Sequence, residues 1–493
     1  DCTDASYVAR LASDSTLPEE KRLVVMNPAL NTFQQSFLRI VNPSNESVEV
    51  QLYGTDDSGT TSGPSISFTL APEESKQITA QDLENGNPSK GLRSFMCARD
   101  GKWKITARSS KAIKMMGLIR TKNGFLTALT DVVPVDKSSN IVYFANPASN
   151  TRQQTFLRIV NNDATAGTAT ITAIDNNGVN APSSVSFDLP ANGSKQITSK
   201  DLEDGSKVKG LTGKLGDGIG KWRLTIASSL DLSAQSLIRT RDGFLTNLSS
   251  LVNPNEDGTS TVGFFNPASN NEQKSFMRLI NTSLKSSSVT INAVDDEGDI
   301  APNGPVLLSL GAGQSVELSA KDLEQGNDDL LMGSLGDGEG RWRLTVLAAP
   351  NIKVMSYVLT STGFLTNMSE VAGASSVDNK VWVFNPGSNL KQVSTLRVIN
   401  NGPTYAGIVI SGIDDKGSPG PQGNLTFNLL HNSVMEITAA ELENGSARKG
   451  LAGGIGDGNG KWRLTIKSDV PVTVQGLLET PAGFITNLST SAQ

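Results

Sequence analysis

The chain has 493 residues, a net charge of −6 and a pI near 5.2. It is too long for one hydrophobic core, because cores stop growing at about 250 to 300 residues. The acidic balance provides no basic surface for phosphates, and no apolar run reaches the roughly 20 residues that span a bilayer, so we expect neither a nucleic-acid partner nor a membrane span. Plentiful Gly, Ser, Thr and Asn favour short strands and turns.

Residues 1–22 precede the first repeat and carry Cys2; the only other cysteine is Cys97. Two cysteines exclude a Cys-based zinc site. We expect an intrachain disulfide that ties the terminus to the first repeat. Two free thiols, or an apolar arm at residues 7–12 that adds a strand to another subunit, are the alternatives. A start at Asp1 is typical of an exported protein after signal-peptide removal, which predicts an extracellular or cell-surface location.

Four copies of one unit follow. Three motifs each recur every 119 or 120 residues. They are Asn-Pro-x-x-Asn, a Trp within a Lys/Arg-Trp-Lys/Arg triplet, and a closing Gly-Phe-Leu/Ile-Thr. That period is too long for a solenoid unit and matches a self-sufficient domain. The predicted domains are an N-terminal extension at 1–22 and repeats at 23–134, 135–253, 254–373 and 374–493.

The pattern within a repeat is that of strands. Apolar and polar residues alternate over 222–226, and 168–174 are rich in β-branched residues before the turn signal at 175–178. Seven or eight short strands per repeat predict an all-β chain of four tandem immunoglobulin-like β-sandwiches. The junctions at 252–258 and 371–376 are short. We therefore expect an elongated array, a rod on the order of 150 Å long.

Each repeated tryptophan is in phase with apolar residues two and four positions later, which predicts a place in the core. The alternative is an exposed sugar-binding platform. The four are Trp103, Trp222, Trp342 and Trp462. A fifth, Trp382, is out of register with them and is expected at a domain junction or on the surface.

An arginine recurs in the middle of one apolar strand of every repeat, where an unpaired charge would be costly. The acidic pairs that recur in each repeat are its obvious partners. We therefore expect a structural Arg-carboxylate clamp within each repeat, formed by Arg39, Arg158, Arg278 and Arg397 with Asp82, Asp201, Asp322 and Glu441.

Paired aspartates followed by x-Gly are either hairpin turns or calcium ligands, since calcium takes six to eight oxygens. The turn is the favoured interpretation, and calcium is the only cofactor considered. The residues are Asp56, Asp57, Asp295, Asp296, Asp414 and Asp415.

Catalytic groups are scarce. His431 is the only histidine, and neither a Gly-x-Ser-x-Gly motif nor a phosphate-binding loop is present. Carboxylate pairs can hydrolyse glycosides. Here such pairs recur in every repeat, which is expected of residues with a structural role and not of a single active site. We expect no enzymatic activity.

The third repeat resembles tandem immunoglobulin-like β-sandwich repeats of secreted and cell-surface proteins of Gram-negative, often marine, bacteria. The resemblance is carried by the segments 265–270, 277–281, 295–298, 320–324, 335–344 and 363–367. The resemblance covers residues 23–490 and implies accessory or structural modules, with no catalytic residue. Repeat 1 departs from it at 95–101 and at Ala128.

These observations predict a non-enzymatic extracellular structural or adhesive protein that assembles on or decorates a bacterial surface as a filament, layer or adhesin. Its expected partners are other copies of itself or cell-surface and matrix components. The alternative is an array of carbohydrate- or surface-binding modules whose loops carry the specificity.

Overall fold

The computed structural model describes residues 17–97, 101–373 and 375–489, and in these the chain is all-β with four short helices and three short 3-10 turns. Each repeat of about 120 residues forms two antiparallel sheets with a hydrophobic core between them. No helix in the described part of the chain has the length and apolar character needed to cross a membrane.

Repeats 1 and 2 have closely similar strands. Repeat 1 contains β1 (Glu19–Met26), β2 (Gln34–Val41), β3 (Val48–Thr55), β4 (Thr61–Leu70), β5 (Ser75–Thr79), β6 (Trp103–Ser109), β7 (Lys114–Thr121) and β8 (Leu126–Ala128). Repeat 2 contains β9 (Val135–Asp136), β10 (Ser139–Ala145), β11 (Gln153–Asn161), β12 (Gly167–Ile174), β13 (Val185–Leu189), β14 (Ser194–Thr198), β15 (Trp222–Ser228), β16 (Leu232–Thr240) and β17 (Leu245–Asn247).

Repeats 3 and 4 follow the same plan. Repeat 3 contains β18 (Ser260–Phe265), β19 (Gln273–Asn281), β20 (Ser287–Val294), β21 (Val306–Leu310), β22 (Ser315–Ser319), β23 (Trp342–Ala348), β24 (Ile352–Thr360) and β25 (Leu365–Asn367). Repeat 4 contains β26 (Ser376–Phe384), β27 (Val393–Ile399), β28 (Ala406–Ile413), β29 (Leu425–Leu429), β30 (Val434–Thr438), β31 (Ala452–Gly453), β32 (Trp462–Glu479) and β33 (Ile485–Asn487). One helix per repeat follows the fifth main strand: α1 (Ala80–Asn85), α2 (Ser199–Asp204), α3 (Ala320–Gln325) and α4 (Ala439–Asn444).

The strand order differs from that of an immunoglobulin domain. In repeat 1 the outer sheet has the order β1-β6-β3-β4 and the inner sheet β5-β2-β7-β8, and repeats 2 and 3 keep this order. In repeat 4 the single long strand β32 runs through both layers. An immunoglobulin sheet of order ABED pairs the first two strands, whereas here they lie in opposite sheets. The prediction of an all-β chain is confirmed, and its sheets are antiparallel, but their strand order is not the one that an immunoglobulin domain has.

The two sheets of a repeat are buried differently. In outer strand β12 buried and more exposed positions alternate, as expected of a sheet with one face in solvent. In inner strand β11 seven consecutive residues are buried, from Thr155 to Asn161. A strand buried at successive positions has both faces covered. The inner sheet therefore packs on its own repeat with one face and on something else with the other.

The second face of each inner sheet is covered by the neighbouring repeat. Apolar clusters join repeat 1 to 2 through Val24 and Phe156, repeat 2 to 3 through Phe144 and Tyr357, and repeat 3 to 4 through Phe264. A fourth cluster joins repeat 4 back to repeat 1, and it contains Phe37, Met116, Leu118, Val383 and Leu478. The four repeats thus form a closed ring.

The predicted elongated array is therefore wrong. The short junctions limit how far neighbours separate, and an inner sheet with two apolar faces loses stability if one face stays in water. Folding back into a ring covers all four of these faces, which a linear array of four cannot do at its two ends.

Four phenylalanines fill the centre of the ring. The short strands β8, β17, β25 and β33 contact one another around the axis. The phenylalanine just before each strand enters one cluster, in which ring centroids lie 4.2 to 5.9 Å apart, mostly edge to face. They are Phe125, Phe244, Phe364 and Phe484. Aromatic packing therefore closes the axis at this level.

The first repeat begins earlier than expected. Strand β1 starts at Glu19, so 19–22 belong to the first sandwich and not to the extension. Cys97 is buried. Cys2 and the proposed docking arm at 7–12 lie outside the described residues, so the disulfide stays a prediction.

A closed ring and a rod differ in size in solution. A compact chain of this length has an expected radius of gyration of about 23 Å, whereas a rod about 150 Å long would give about 40 Å. We expect small-angle X-ray scattering of the monomer to give a value close to the former. A value near the latter would contradict the ring.

Candidate functional site

A buried arginine from the middle of the second strand reaches across every junction between repeats. Its Nε donates to a backbone carbonyl three residues before the neighbour's Asn-Pro motif. The donors and acceptors are Arg39 to Trp382 (3.2 Å), Arg158 to Val24 (2.8 Å), Arg278 to Tyr143 (3.1 Å) and Arg397 to Gly263 (3.0 Å). The first of these closes the ring between repeats 1 and 4.

The same guanidinium also meets the second aspartate of the neighbour's Asp-Asp-x-Gly turn. The ion pairs are Arg39 with Asp415 (2.7 Å), Arg158 with Asp57 (2.7 Å) and Arg397 with Asp296 (3.1 Å for Nη1 to Oδ2). We call this arrangement the junction clamp. It corrects the predicted clamp, because these aspartates come from the preceding repeat around the ring and not from the arginine's own repeat. Arg397 pairs in addition with an acid of its own repeat, Glu436, over 3.0 Å.

The carboxylates predicted for the clamp cap helices. Asp82 accepts from the backbone of Thr79 and its N–H donates to the Thr79 hydroxyl, which is a capping box. The equivalent residues Asp201, Asp322 and Glu441 do the same for α2, α3 and α4. These short-range bonds fix the first turn of each helix. The capping acids therefore do not pair with the buried arginine, which binds groups of the neighbouring repeat instead.

The second acid of each pair binds the tryptophan. The indole Nε1 donates to it over 2.7 to 3.0 Å, in the pairs Trp103–Glu84, Trp222–Glu203, Trp342–Glu324 and Trp462–Glu443. All four indoles are at most 2% exposed. They lie in the sandwich cores, and a sugar platform made of these rings would need them at the surface.

The aspartates considered as calcium ligands are already engaged. The first of each pair accepts turn N–H groups, as Asp295 does from Glu297, Gly298 and Asp299. Asp56 and Asp414 act in the same way. The second of each pair is the clamp acid. Within residues 17–97, 101–373 and 375–489 no group of three or more His, Cys, Asp or Glu side chains could hold a metal ion.

The cations that flank each tryptophan extend the junction. Arg223 donates to the carbonyl of Asn281 over 2.8 Å and Arg343 to that of Asn432 over 3.0 Å. Arg463 reaches Glu73 of repeat 1. Trp382, for which a junction or surface position was expected, lies in the junction between repeats 4 and 1.

The junction between repeats 2 and 3 is electrostatically different. Asn176 stands where the other repeats have the clamp aspartate, and its Oδ1 accepts from Arg278 over 2.8 Å. Burial lowers the pKa of Arg278. Burial also opposes the charge of Arg397, but the carboxylates of Asp296 and Glu436 outweigh it and raise the pKa of that arginine. This junction therefore holds a buried cation with an amide in place of the neighbour's carboxylate.

One end of the ring, which we call the hairpin face, is built from the turns 121–124, 240–243, 360–363 and 480–483 just outside the phenylalanine cluster. A glutamine from the preceding repeat ties each turn down by donating to its glycine carbonyl. The pairs are Gln34–Gly243 (2.6 Å), Gln153–Gly363 (2.8 Å), Gln273–Gly483 (3.0 Å) and Gln392–Gly124. These bonds run around the face in one direction and return to the first repeat.

A cleft of about 790 Å³ opens on the hairpin face between repeats 1 and 2. Its walls include Phe33, which is 70% exposed, and the cations Lys122, Arg239 and Arg241. The Lys122 ammonium lies 4.4 Å from the centroid of the Phe33 ring. This is the concave polar site that we take as the candidate functional site.

The sequence contained a signal for this cleft that the motifs did not reveal. The interior positions of the repeats recur, but the position of Arg241 is occupied by Lys122, Ser361 and Pro481 in the other copies. Variation at an exposed turn within an otherwise regular repeat marks the surface where copies are free to differ.

Comparison with known proteins does not assign a family. No protein-family model and no curated protein matches the chain. A glycoside hydrolase family 32 structure from Bifidobacterium adolescentis aligns with 8% identity and a TM-score of 0.14, covering 96% of this chain and 100% of that one. SGBP-B of the Bacteroides ovatus mixed-linkage glucan utilization locus, in complex with a mixed-linkage heptasaccharide, aligns with 10% identity and a TM-score of 0.12, covering 91% and 99%. TM-scores this low show no shared fold.

The clamp predicts the effect of exchanging an acid and an amide. Asn176→Asp should stabilise the protein by about 1 to 3 kcal/mol, because it gives Arg278 a charged hydrogen-bond partner. Asp296→Asn should destabilise it by a similar amount at the matched position. Urea unfolding of both variants measures the difference. A stabilising effect of Asp296→Asn would contradict the clamp.

Acid should loosen the junction between repeats 3 and 4. Burial alone would raise the pKa of Glu436, but the guanidinium groups of Arg341 and Arg397 hold it below its ordinary value of 4.5. The pairing therefore contributes fully above about pH 5 and is lost as the pH falls through the lowered pKa. Glu436→Gln should reduce the acid dependence of the unfolding free energy. The exposed Glu256→Gln is the control and should leave it unchanged.

Proposed function

We propose that the protein is an exported, non-enzymatic adhesive module that attaches to extracellular carbohydrate through its hairpin face. The observation that carries this proposal is ring closure. Head-to-tail contacts propagate into filaments only when one contact surface stays unpaired at each end. Here the clamp surfaces of all four repeats are used within one chain, which favours a self-contained particle over a filament built through the repeat junctions.

Absence of catalysis is part of the proposal, and two observations support it. The carboxylates that recur in pairs are engaged in helix caps and in hydrogen bonds to the indoles. The only histidine of the sequence, His431, lies in a turn of repeat 4 with its ring near that of Tyr405. Neither arrangement pairs a nucleophile with a general base.

The rigid interior suits adhesion. Four repeats share buried clamps and a common aromatic centre, so the hairpin turns are held on a fixed frame. Loops carried on a rigid scaffold are the usual place for recognition. Ordering such loops on binding costs little, since they are already tied by the glutamine bonds.

A glycan array that includes neutral, amino, carboxylated and sulfated sugars tests this function, together with negative-stain electron microscopy of the same sample. We expect binding to at least one glycan class and single ring-shaped particles. An unrelated acidic β-sandwich protein serves as the blank. Ordered filaments or sheets without glycan binding would contradict the proposal and favour a structural layer.

A further inference from the structure

The cleft between repeats 1 and 2 concentrates positive charge on an acidic protein. The chain carries a net charge of −6. At the cleft, three cations, Lys122, Arg239 and Arg241, face one acid, Asp242. Cations that line a concave site focus the field there and attract anionic ligands.

These cations are available to a ligand. All three side chains are exposed, and none of them forms an ion pair within the described part of the chain. Thr151 fixes the Arg241 guanidinium by accepting from Nη2 over 2.9 Å. The Arg239 guanidinium lies 4.6 Å from the centroid of the Phe156 ring. The charges are therefore held in place without being neutralised.

The remaining wall suits a sugar. The exposed ring of Phe33 offers an apolar face, on which the hydrophobic side of a pyranose can pack. Asn31 and Gln154 add amide groups that hydrogen-bond hydroxyls. The cleft volume also falls in the range of about 300 to 1,000 Å³ typical of ligand sites.

The other junctions lack this combination. The position of Phe33 is taken by Arg152, Glu272 and Lys391 in the later repeats. At the junction of repeats 3 and 4 the equivalent positions include Glu272 and Glu479, which would repel an anion. The combination of an exposed phenylalanine with these cations is therefore found once and not four times.

We propose that this cleft binds a carboxylated or sulfated polysaccharide segment, with Lys122, Arg239 and Arg241 on its anionic groups and Phe33 against a sugar ring. This inference rests on the proposed carbohydrate-binding function and narrows its ligand class. Guanidinium groups pair with carboxylate and sulfate oxygens through two parallel hydrogen bonds, which gives them geometric selectivity over a neutral hydroxyl.

Calorimetric titration of the full chain tests the site, with polygalacturonate and dextran sulfate as anionic probes and dextran as the neutral one. The double variant Lys122→Ser/Arg241→Ser should lose at least about tenfold in affinity for the anionic probes, which corresponds to about 1.4 kcal/mol. Lys353→Ser, beside the linkers and away from the cleft, removes one similar charge and should stay within about twofold. The melting temperatures of both variants should match that of the parent.

Each outcome decides between the two proposals. Binding to neutral glycans alone would overturn the anionic ligand and leave the adhesive function standing. Unchanged affinity in the double variant would overturn the cleft. Single-stranded DNA is titrated as a fourth probe, and tighter binding to it than to polygalacturonate would overturn the polysaccharide assignment. If the parent protein bound none of the glycans, the proposed adhesive function itself would be contradicted.

Discussion

A buried guanidinium is the constraint on which the ring depends. Each repeat places one arginine, 0% exposed, in the middle of its inner sheet. Removing such a charge from water costs several kcal/mol unless hydrogen bonds and an opposite charge replace the water. Within its own repeat the recurring acidic pair is committed to the helix cap and to the indole, and Arg397 alone has an ion-pair partner there, Glu436, among the described residues. The neighbour supplies a carbonyl and, in three of four cases, a carboxylate, so a repeat is complete only against another repeat.

Local sequence patterns predicted the features that depend on neighbouring residues, such as strands, turns and core positions. Alternation around Trp222 predicted a core indole, and the turn at 175–178 forms where it was expected. The partner of Arg158 could not be found in this way, because Asp201 and Asp57 both recur at the repeat period and spacing alone does not separate a contact within a repeat from one between repeats. The uninterrupted buried run of β11 was the physical sign that both faces of the sheet need cover.

Departures from the repeat pattern are explained by closure. Asn247, Asn367 and Asn487 donate through their amides to linker carbonyls of the preceding repeat, over 2.8 to 3.1 Å. Repeat 1 has Ala128, which carries no side-chain amide, at that position. The difference of the first repeat therefore lies at the junction between repeats 4 and 1, which are not consecutive in the sequence and pack through their own apolar cluster.

Buried residues recur from repeat to repeat, whereas exposed residues of the hairpin face differ. The clamp and the central phenylalanines recur because the four junctions share one geometry, and the indole bond recurs because the four sandwich cores do. A change in any of them would disturb close packing. The glutamine bonds that hold the hairpin turns recur as well, but the exposed side chains of these turns differ in charge from one repeat to the next. An anionic chain on this face would therefore lie over repeats 1 and 2, at Lys122 and Arg241, and away from Glu272 and Glu479 across the axis. The contacts that recur at all four junctions thus hold the hairpin face rigidly. The charges that differ between its turns make repeats 1 and 2 the preferred place for an anionic ligand.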